Sequence, residues 1–396
     1  MDTNSNVVSF SNAARGGSAG RRLIPGRLRD ARVAKRLNQA ELGAAIGKTR
    51  QAISAYEMGE KAPEAATLAD IAVVLGQPIA YFIVPDREGF GTFGPRFFRA
   101  LGPETKRRNL MCEAYASWEV QVARYVDDLV NYPPVSLPAV TPADPGGVYE
   151  EEEIESAAAD CRTLWGLGYG PISNVLSLVE GRGVITARLR MEGERVEAFS
   201  FWNGPRPFVF LASEKDSAAR ARFDVAHEVG HLVLHGGVGQ EDIEDPKTLR
   251  RIEAEANRFA SALLLPQQSF PNEVFTTRLD AFVELKKRWK VSIQAMVHRC
   301  KDLGIFDEYQ ITNLYKQISA RKWRTKEPLD NPELYPIEQP KLLRKAVEMA
   351  FAAGRKGPED LRVEIALAPW IIETLCNLDE GALATREPEP LQPSLR

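Results

Sequence analysis

Residues 222–237, RFDVAHEVGHLVLHGG, contain three of the four histidines in the chain. Two of them enclose a glutamate in the order H-E-x-x-H, as His227, Glu228 and His231. Residues four apart on an α-helix lie one above the other, so both imidazoles can bind one metal ion. Glu228 lies one step round the helix, where its carboxylate can take a proton from a water molecule that the ion activates. The stretch therefore predicts a zinc-peptidase helix, and the simpler alternative is a core helix that carries histidines by chance.

His235 is the third histidine of this stretch, but it does not fit as a ligand of the same ion. It lies about 12 Å from His227 along a continuous helix, and one ion cannot bind both. The glycines that follow it come too early for the longer H-E-x-x-H-x-x-G-x-x-H arrangement. We interpret His235 as structural, as a support for a ligand, or as a residue at the rim of the site.

The third ligand must come from another segment, and RRIEAEANRFASALLLP (residues 250–266) predicts a helix that could supply it. Apolar residues at helical spacing define its core stripe. Glu253 and Asn257, four residues apart, lie on one flank of that stripe, where a partly buried carboxylate would need a cation. Glu255 lies on the other flank. Pattern alone prefers Glu253 and leaves Glu255 open as the alternative.

Together, HEVGHLVLH and EAEANRFASALLLP resemble the ImmA/IrrE family of zinc metallopeptidases, and the resemblance extends from about Pro171 to Leu303. In that family the third ligand is the glutamate of an E-x-x-x-N/D pattern. The resemblance implies a Zn²⁺ cofactor, with Mn²⁺ as the alternative ion. The implied roles are metal ligand for His227, His231 and Glu253, general base for Glu228, and support of a ligand for Asn257.

The beginning of the chain follows a different pattern. In GRLRDARVAKRLNQAELGAAIGKTRQAISAYEMGEKAP (residues 26–63), Asn38 and Glu41 have the spacing of a helix capping box. Gly47 supplies a tight turn, and Thr49 can cap the next helix. Two short helices joined by a glycine turn predict a helix-turn-helix whose second helix enters the major groove of DNA. The segment resembles the XRE (Cro/repressor-type) helix-turn-helix family over about 60 residues, and a helical hairpin used only for protein contacts is the alternative.

Arg and Gln side chains at the start of that second helix suit bidentate contacts to guanine and adenine. A glutamine one helix earlier is placed to hold a phosphate and so to set the register. The candidate DNA-binding residues are Gln39, Lys48, Thr49, Arg50, Gln51 and Ser54.

Charge and composition limit the class of protein and the compartment that the sequence can indicate. The 396 residues carry a net charge of −3, yet residues 21–61 contain ten Lys/Arg against four Asp/Glu. A basic N-terminal segment in an otherwise acidic chain indicates that only this segment binds a polyanion. The first residues lack the apolar core of a signal peptide, and no apolar run is long enough to span a membrane. The four cysteines form no C-x-x-C pair. We therefore expect a soluble, cytoplasmic protein that binds no membrane.

The predicted fold class is α+β and mostly α. An all-α helix-turn-helix domain precedes a zincin-like (gluzincin) domain that has a small antiparallel sheet and the H-E-x-x-H helix, and a helical region ends the chain. Three strand-like runs, GVITARLR, VEAFSFWNG and RPFVFLAS, form the sheet. The predicted boundaries are 1–20 disordered, 21–84 helix-turn-helix, 85–150 helical linker with a proline-rich loop, 151–305 metallopeptidase, 306–380 helical and 381–396 disordered.

The combination suggests a transcriptional regulator in which a zinc endopeptidase cleaves a Cro-like repressor or the chain itself, with residues 85–150 as the place for a cut or a hinge. Two alternatives stay open: a transcription factor whose peptidase-like part senses a ligand or partner without cleavage, and an antitoxin-type regulator. The expected partners are a double-stranded DNA operator, a repressor-type protein and a second copy of the chain. His298 and Tyr309 are further candidates for stabilising an oxyanion, although a lone histidine on a helix is more often structural.

Overall fold

A computed structural model describes residues 23–96, 103–144, 147–189, 198–213, 217–239, 242–243, 245–333 and 335–384. The predicted disordered segment 1–20 lies outside these residues, as does most of the predicted disordered tail. The described residues fall into two compact units. The first holds residues 23–32 and 37–85, and the second holds residues 33–36 and those from 86 onward.

The first unit is helical. Its α-helices are α1 (Pro25–Ala34), α2 (Gln39–Ala45), α3 (Arg50–Glu57) and α4 (Ala65–Leu75), and a 3₁₀ turn follows at Ile79–Phe82. The capping box predicted at the start of α2 is confirmed, because the Asn38 side chain accepts from the Glu41 backbone and the Glu41 side chain accepts from the Asn38 backbone. Gly47 has φ +65°, a left-handed conformation that glycine adopts without strain. These local features orient α3 against α2.

The second unit contains the remaining helices and a three-stranded sheet. Its strands are β1 (Ile185–Leu189), β2 (Ala198–Asn203) and β3 (Arg206–Ala212). Its α-helices are α5 (Pro103–Asp127), α6 (Glu151–Leu164), α7 (Val175–Glu180), α8 (Ala218–Leu234), α9 (Pro246–Leu264), α10 (Leu279–Trp289), α11 (Ile293–Asp302), α12 (Glu308–Ala320), α13 (Leu342–Ala352), α14 (Pro358–Ile365) and α15 (Pro369–Leu375). A 3₁₀ turn lies at Phe270–Glu273.

The predicted fold class, mostly helical with one small sheet, is confirmed, but the strand arrangement differs in one respect. The strand order is β1-β3-β2, and β2 pairs antiparallel with β3 as a hairpin. The prediction of an antiparallel sheet is wrong for the other pair, since β1 runs parallel to β3. Because the hairpin places β2 on one side of β3, β1 occupies the opposite side. β2 is therefore an edge strand of this sheet.

Helix α8 lies in the core of the second unit. It contacts β2, β3, α7 and α9, and it is buried along almost its whole length. The two helices lie close together at Gly230, where an added Cβ would lie 3.2 Å from both the Cα and the carbonyl oxygen of Ala256. A larger residue at this position would push the two helices apart. Glycine therefore allows α9 to bring its side chains to those of α8.

The helices at the two ends of the second unit also pack together, since α5 contacts α13, α14 and α15. The finer predicted boundaries, at residues 85–150, 151–305 and 306–380, stay predictions. Among the described residues, no helix has the length and apolar character needed to cross a membrane.

Candidate metal centre and nucleic-acid interface

The structure brings together three of the side chains singled out in the sequence. His227 and His231 on α8 have Nε2 atoms 3.0 Å apart. The Glu253 carboxylate on α9 lies 3.5 Å from His227 Nε2 and 3.4 Å from His231 Nε2. Both imidazoles are buried, while Glu253 is 19% exposed. Among the described residues these three form the group that could hold a metal ion.

The spacing of these atoms fits a divalent ion. Zinc binds imidazole nitrogen and carboxylate oxygen at about 2.0–2.2 Å with tetrahedral geometry, so neighbouring ligand atoms should lie roughly 3.3–3.5 Å apart. The two Nε2 atoms lie 3.0 Å apart, His227 Nε2 lies 3.5 Å from Glu253 Oε2, and His231 Nε2 lies 3.4 Å from the other oxygen, Oε1. Each distance is close to that edge length, although the two contacts with Glu253 use different carboxylate oxygens. Two neutral nitrogens and one carboxylate leave a fourth position for water or substrate, as in catalytic zinc sites. The ligand roles of these residues stay predictions, and the donor set fits them.

The charge of Glu253 also suits a cation site. Burial alone would raise the pKa of its carboxyl group, but in the metal-free site hydrogen bonds and charge from protonated His227 and His231 outweigh burial and hold that pKa below its usual range. The carboxylate is therefore ionised near neutral pH. Asn257, one turn further along α9, has its Oδ1 3.0 Å from His227 Nδ1. An amide oxygen only accepts, so Nδ1 of His227 carries the proton and Nε2 keeps its lone pair for a metal.

Glu228, the predicted general base, is 2% exposed, and its carboxylate accepts a hydrogen bond from a residue of the sheet. The Ser200 hydroxyl on β2 donates to Glu228 Oε2 at 2.7 Å, and it also lies 3.3 Å from the Glu228 carbonyl oxygen. A fixed carboxylate can receive a proton from a water molecule in a defined direction. Sequence reasoning missed Ser200, because nothing in a strand pattern shows which helix residue lies beneath it.

His235 and Glu255 lie behind His227 and His231, the candidate ligands. Nδ1 of His235 is 3.1 Å from Nδ1 of His231, and its Nε2 is 2.9 Å from Glu255 Oε2. Burial lowers the pKa of His235 to about 4, against an opposing effect of Glu255, so the imidazole is neutral near pH 7. Glu255 thus binds His235, and Glu253 is the carboxylate placed beside the ligand pair. A sequence signal for this contact existed, because His235 follows His231 by one helical turn.

The two oxyanion candidates are exposed. The His298 side chain is 58% exposed, and its Nδ1 lies 3.1 Å from Oδ2 of Asp302, four residues further along α11. Tyr309 is 81% exposed. The contacts described for these side chains give them no role at the metal centre.

The candidate DNA-contact residues lie on α2 and at the start of α3. Lys48, Thr49, Arg50 and Gln51 are exposed, and Ser54 is half-buried. The Thr49 side chain accepts from the Ala52 backbone, which confirms the predicted cap of α3. Their roles in DNA binding stay predictions.

Gln39 is half-buried, and its amide donates to Glu57 Oε2 at 2.8 Å. The same carboxylate binds Arg32 through both oxygens, at 2.6 and 2.9 Å. The amide group of Gln39 therefore has a partner within the first unit, and a phosphate contact would compete with Glu57 for it.

The fold and the site define a chain of two parts: a helix-turn-helix of the kind that binds double-stranded DNA, and a helix–sheet core with a metallopeptidase-type side-chain cluster. Comparison with protein families agrees with both parts. Residues 28–82 match the helix-turn-helix family, and residues 179–301 match the family described as IrrE N-terminal-like domain. The chain therefore carries an XRE-type helix-turn-helix joined to an ImmA/IrrE-type metallopeptidase region.

One similar protein is the radiation response metalloprotease IrrE of Deinococcus radiodurans. It is 25% identical over 251 residues, which cover 59% of this chain and 71% of the relative. The likeness to this family implies a metal cofactor, and the helix-turn-helix implies binding to double-stranded DNA. The combination supports a regulator that carries a peptidase-type region.

Proposed function

We propose that this protein is a DNA-binding transcriptional regulator whose zinc-dependent endopeptidase region cleaves a Cro-like repressor or the chain itself to switch gene expression. The observation that carries the proposal is the cluster of His227, His231 and Glu253, with Glu228 on the same helix as both histidines. Mn²⁺ is the alternative ion. In the same chain, the helix-turn-helix supplies binding to an operator, on which two copies would occupy paired half-sites.

The chain's own residues support a division of work in peptide hydrolysis. A divalent ion held by His227, His231 and Glu253 would supply Lewis acidity that makes a nearby water more acidic. Glu228 would take the proton of that water as the water oxygen bonds to the carbonyl carbon of the peptide, while Ser200 holds one oxygen of the Glu228 carboxylate. Glu228 would then return the proton to the leaving nitrogen as the carbon–nitrogen bond breaks.

The segment that follows the first unit supports an extended peptide as the substrate. Phe93 pairs antiparallel with Asn203 at the edge of β2 that does not pair with β3, and the Gly94 N–H donates to the Trp202 carbonyl at 2.7 Å. An extended peptide binds a sheet edge through such main-chain hydrogen bonds. This segment belongs to the predicted 85–150 region, so part of that region already lies beside the strand that carries Ser200. The contact supports a cut or a hinge within residues 85–150.

The decisive experiment compares the purified wild type with Glu228→Gln in the presence of Zn²⁺ or Mn²⁺, alone and with candidate Cro-like repressors. We expect fragments from the wild type and a rate lower by about 10²–10⁴-fold for the variant, because general-base catalysis contributes about that factor. Metal analysis of the variant must show the same metal content as the wild type. If no fragment differs between the two proteins, proteolysis is not the mechanism.

A second function, ligand sensing without cleavage, is favoured by a cavity of about 380 Å³ near the start of α8. Arg222, Lys286, Lys290, Tyr335 and Glu338 are among its lining residues. A mixture of polar and apolar groups in a cavity of this size suits a small molecule. Promoter control distinguishes the two functions: the Glu228→Gln protein loses control if cleavage is required and keeps it if the second unit only senses.

A further inference from the structure

The two candidate ligand histidines have different partners at their second ring nitrogen. His227 contacts the neutral amide of Asn257, whereas His231 contacts another histidine, His235, at 3.1 Å. His235 in turn contacts Glu255 at 2.9 Å. We propose that His235 and Glu255 form a positioning relay that fixes the tautomer and orientation of His231 for metal binding. This inference rests on the metal centre of the proposed function.

The proton arrangement of the relay follows from its end points. If His231 binds an ion through Nε2, its proton must lie on Nδ1, which then donates to Nδ1 of His235. Nδ1 of His235 is therefore an acceptor, and its proton lies on Nε2. That proton points at Glu255 Oε2, which can only accept. With its proton on Nδ1 of His231 and on Nε2 of His235, each ring satisfies its part of the metal contact, the contact between the two rings and the contact with Glu255.

The opposite arrangement is disfavoured by the carboxylate. If Nδ1 of a neutral His235 carried the proton, its bare Nε2 would face Glu255 Oε2 without a hydrogen bond. A buried carboxylate that faces a lone pair is unfavourable, because both groups lose hydration without gaining a partner. Glu255 therefore selects the tautomers that leave Nε2 of His231 ready for a metal.

The carboxylate of Glu255 is itself held in place. Its other oxygen, Oε1, accepts from Arg251 at 3.0 Å and lies 3.4 Å from the Tyr149 backbone nitrogen. The Tyr149 hydroxyl donates to the Leu234 carbonyl at 2.8 Å, next to His235 in the chain. His231, His235 and Glu255 are at most 5% exposed, so water does not compete with these contacts. The relay is thus rigid and largely dry.

A positioning relay and a purely structural contact predict different effects of a mutation, the first on metal affinity and the second on stability. Partners of metal ligands orient the ring and raise its basicity, and their loss typically weakens metal binding about 10–100-fold. A structural contact would instead lower the melting temperature of the metal-free protein and leave metal affinity unchanged.

The test measures the Zn²⁺ dissociation constant of the full chain by chelator competition for wild type, His235→Gln and Glu255→Gln. We expect about 10–100-fold weaker binding for both variants. His298→Gln is the matched control, because that side chain is 58% exposed, and its affinity should equal that of the wild type. Glu255→Gln keeps the shape of the side chain, so it provides the test on its own if His235→Gln does not fold.

Two further measurements complete the test. Nitrogen-15 NMR of the histidine rings in the zinc-loaded wild type should show the proton of His231 on Nδ1 and that of His235 on Nε2. The visible spectrum of the Co²⁺-substituted protein should shift in both variants and stay unchanged in His298→Gln.

Affinities within about twofold of the wild type, or a His235 proton on Nδ1, overturn the relay and leave the metal centre standing. A wild type that binds no zinc overturns both the relay and the proposed peptidase. Zinc binding that depends on the relay, without any cleavage, supports the relay and counts against proteolysis.

Discussion

The helix-turn-helix unit presents its candidate contact residues to solvent, whereas the metal centre is built inside the core of the second unit. Lys48 in the turn before α3 and Arg50 and Gln51 on α3 are exposed, although Ile53 on α3 is fully buried. The candidate ligands His227 and His231 are 0% and 1% exposed. In the first unit, one helix separates its packing face from its contact face. In the second unit, the candidate metal ligands are themselves buried in the core.

This difference decides how function and stability are linked. An exposed side chain can be exchanged with a stability change of about 0.5 kcal/mol or less. A buried polar group needs its hydrogen-bond partner, and breaking a buried charge pair costs several kcal/mol. We therefore expect function and stability to be separable in the helix-turn-helix and coupled around the metal centre.

The largest effect should come from Arg299, a buried cation of the second unit. Its guanidinium donates to both oxygens of Glu155, at 2.5 and 2.7 Å, and to the Leu265 carbonyl at 3.0 Å. These contacts join α11 to α6 and to the end of α9. Arg299→Met leaves a buried carboxylate short of its main partner, so we expect a loss of about 3–5 kcal/mol. Calorimetry should show a fall of roughly 5–10 °C in the melting temperature of the second unit.

Arg344→Met is the matched control for Arg299→Met. Arg344 pairs with Glu348 and Asp379, but all three side chains are partly or largely exposed, so the loss should be at most about 1 kcal/mol. DNA affinity should stay unchanged in both variants. A parallel loss of DNA affinity in Arg299→Met would show that the two units are not independent in stability.

Glu119 should give an intermediate effect that depends on pH. This residue of α5 is fully buried, and neither carboxylate oxygen has a hydrogen-bond partner among the described residues. Burial raises its pKa well above the ordinary value of 4.5. The folded protein therefore keeps a proton that the unfolded chain loses above pH 4.5, and stability falls as pH rises toward the folded-state pKa. Each pH unit in that window should remove about 1.4 kcal/mol.

Glu119→Gln has no proton to lose, so its unfolding free energy should depend less on pH and exceed that of the wild type at pH 7. Urea unfolding at pH 5, 6 and 7 measures the two slopes. Glu113→Gln, on the same helix with a side chain that is 41% exposed, should keep the wild-type slope. Equal slopes for wild type and Glu119→Gln would mean that Glu119 is ionised in the folded protein.

Features that depend on neighbours along the chain could be predicted from the sequence. The Asn38 capping box, the Gly47 turn and the Thr49 cap are confirmed, because each is a contact between residues a few positions apart. The pairing of His227 with His231 follows from one turn of helix. Glu253 could be proposed because α9 has a clear apolar stripe, and the pattern preferred it modestly over Glu255 before the family resemblance decided between the two.

Features that depend on tertiary packing could not be predicted. Ser200 reaches Glu228 because β2 packs against α8, and neither this packing nor the pairing of β2 follows from the strand pattern. The burial of Glu119 depends on how α5 packs against the C-terminal helices. Helical spacing places Ala45 with the buried Leu42 on the predicted inner face of α2, yet Ala45 is exposed. It is the last residue of a short helix, where the expected face no longer meets its neighbours.

The smallest effect on stability should come from Gln51, although its effect on recognition should be large. Gln51→Ala should change the unfolding free energy by about 0.5 kcal/mol or less. It should also reduce discrimination against a wrong base by about 1–3 kcal/mol, because a bidentate contact to adenine is lost. Binding is measured on a duplex that the wild type selects from random DNA and on single-base variants of it.

Ile53→Ala on the same helix is the comparison for Gln51→Ala, since loss of a buried isoleucine should cost about 2–5 kcal/mol and weaken binding to every sequence. If Gln51→Ala also weakens all sequences equally, Gln51 contacts the DNA backbone rather than a base. Gln51 would then fix the position of α3 on the DNA, and base recognition would have to come from Arg50 or Ser54.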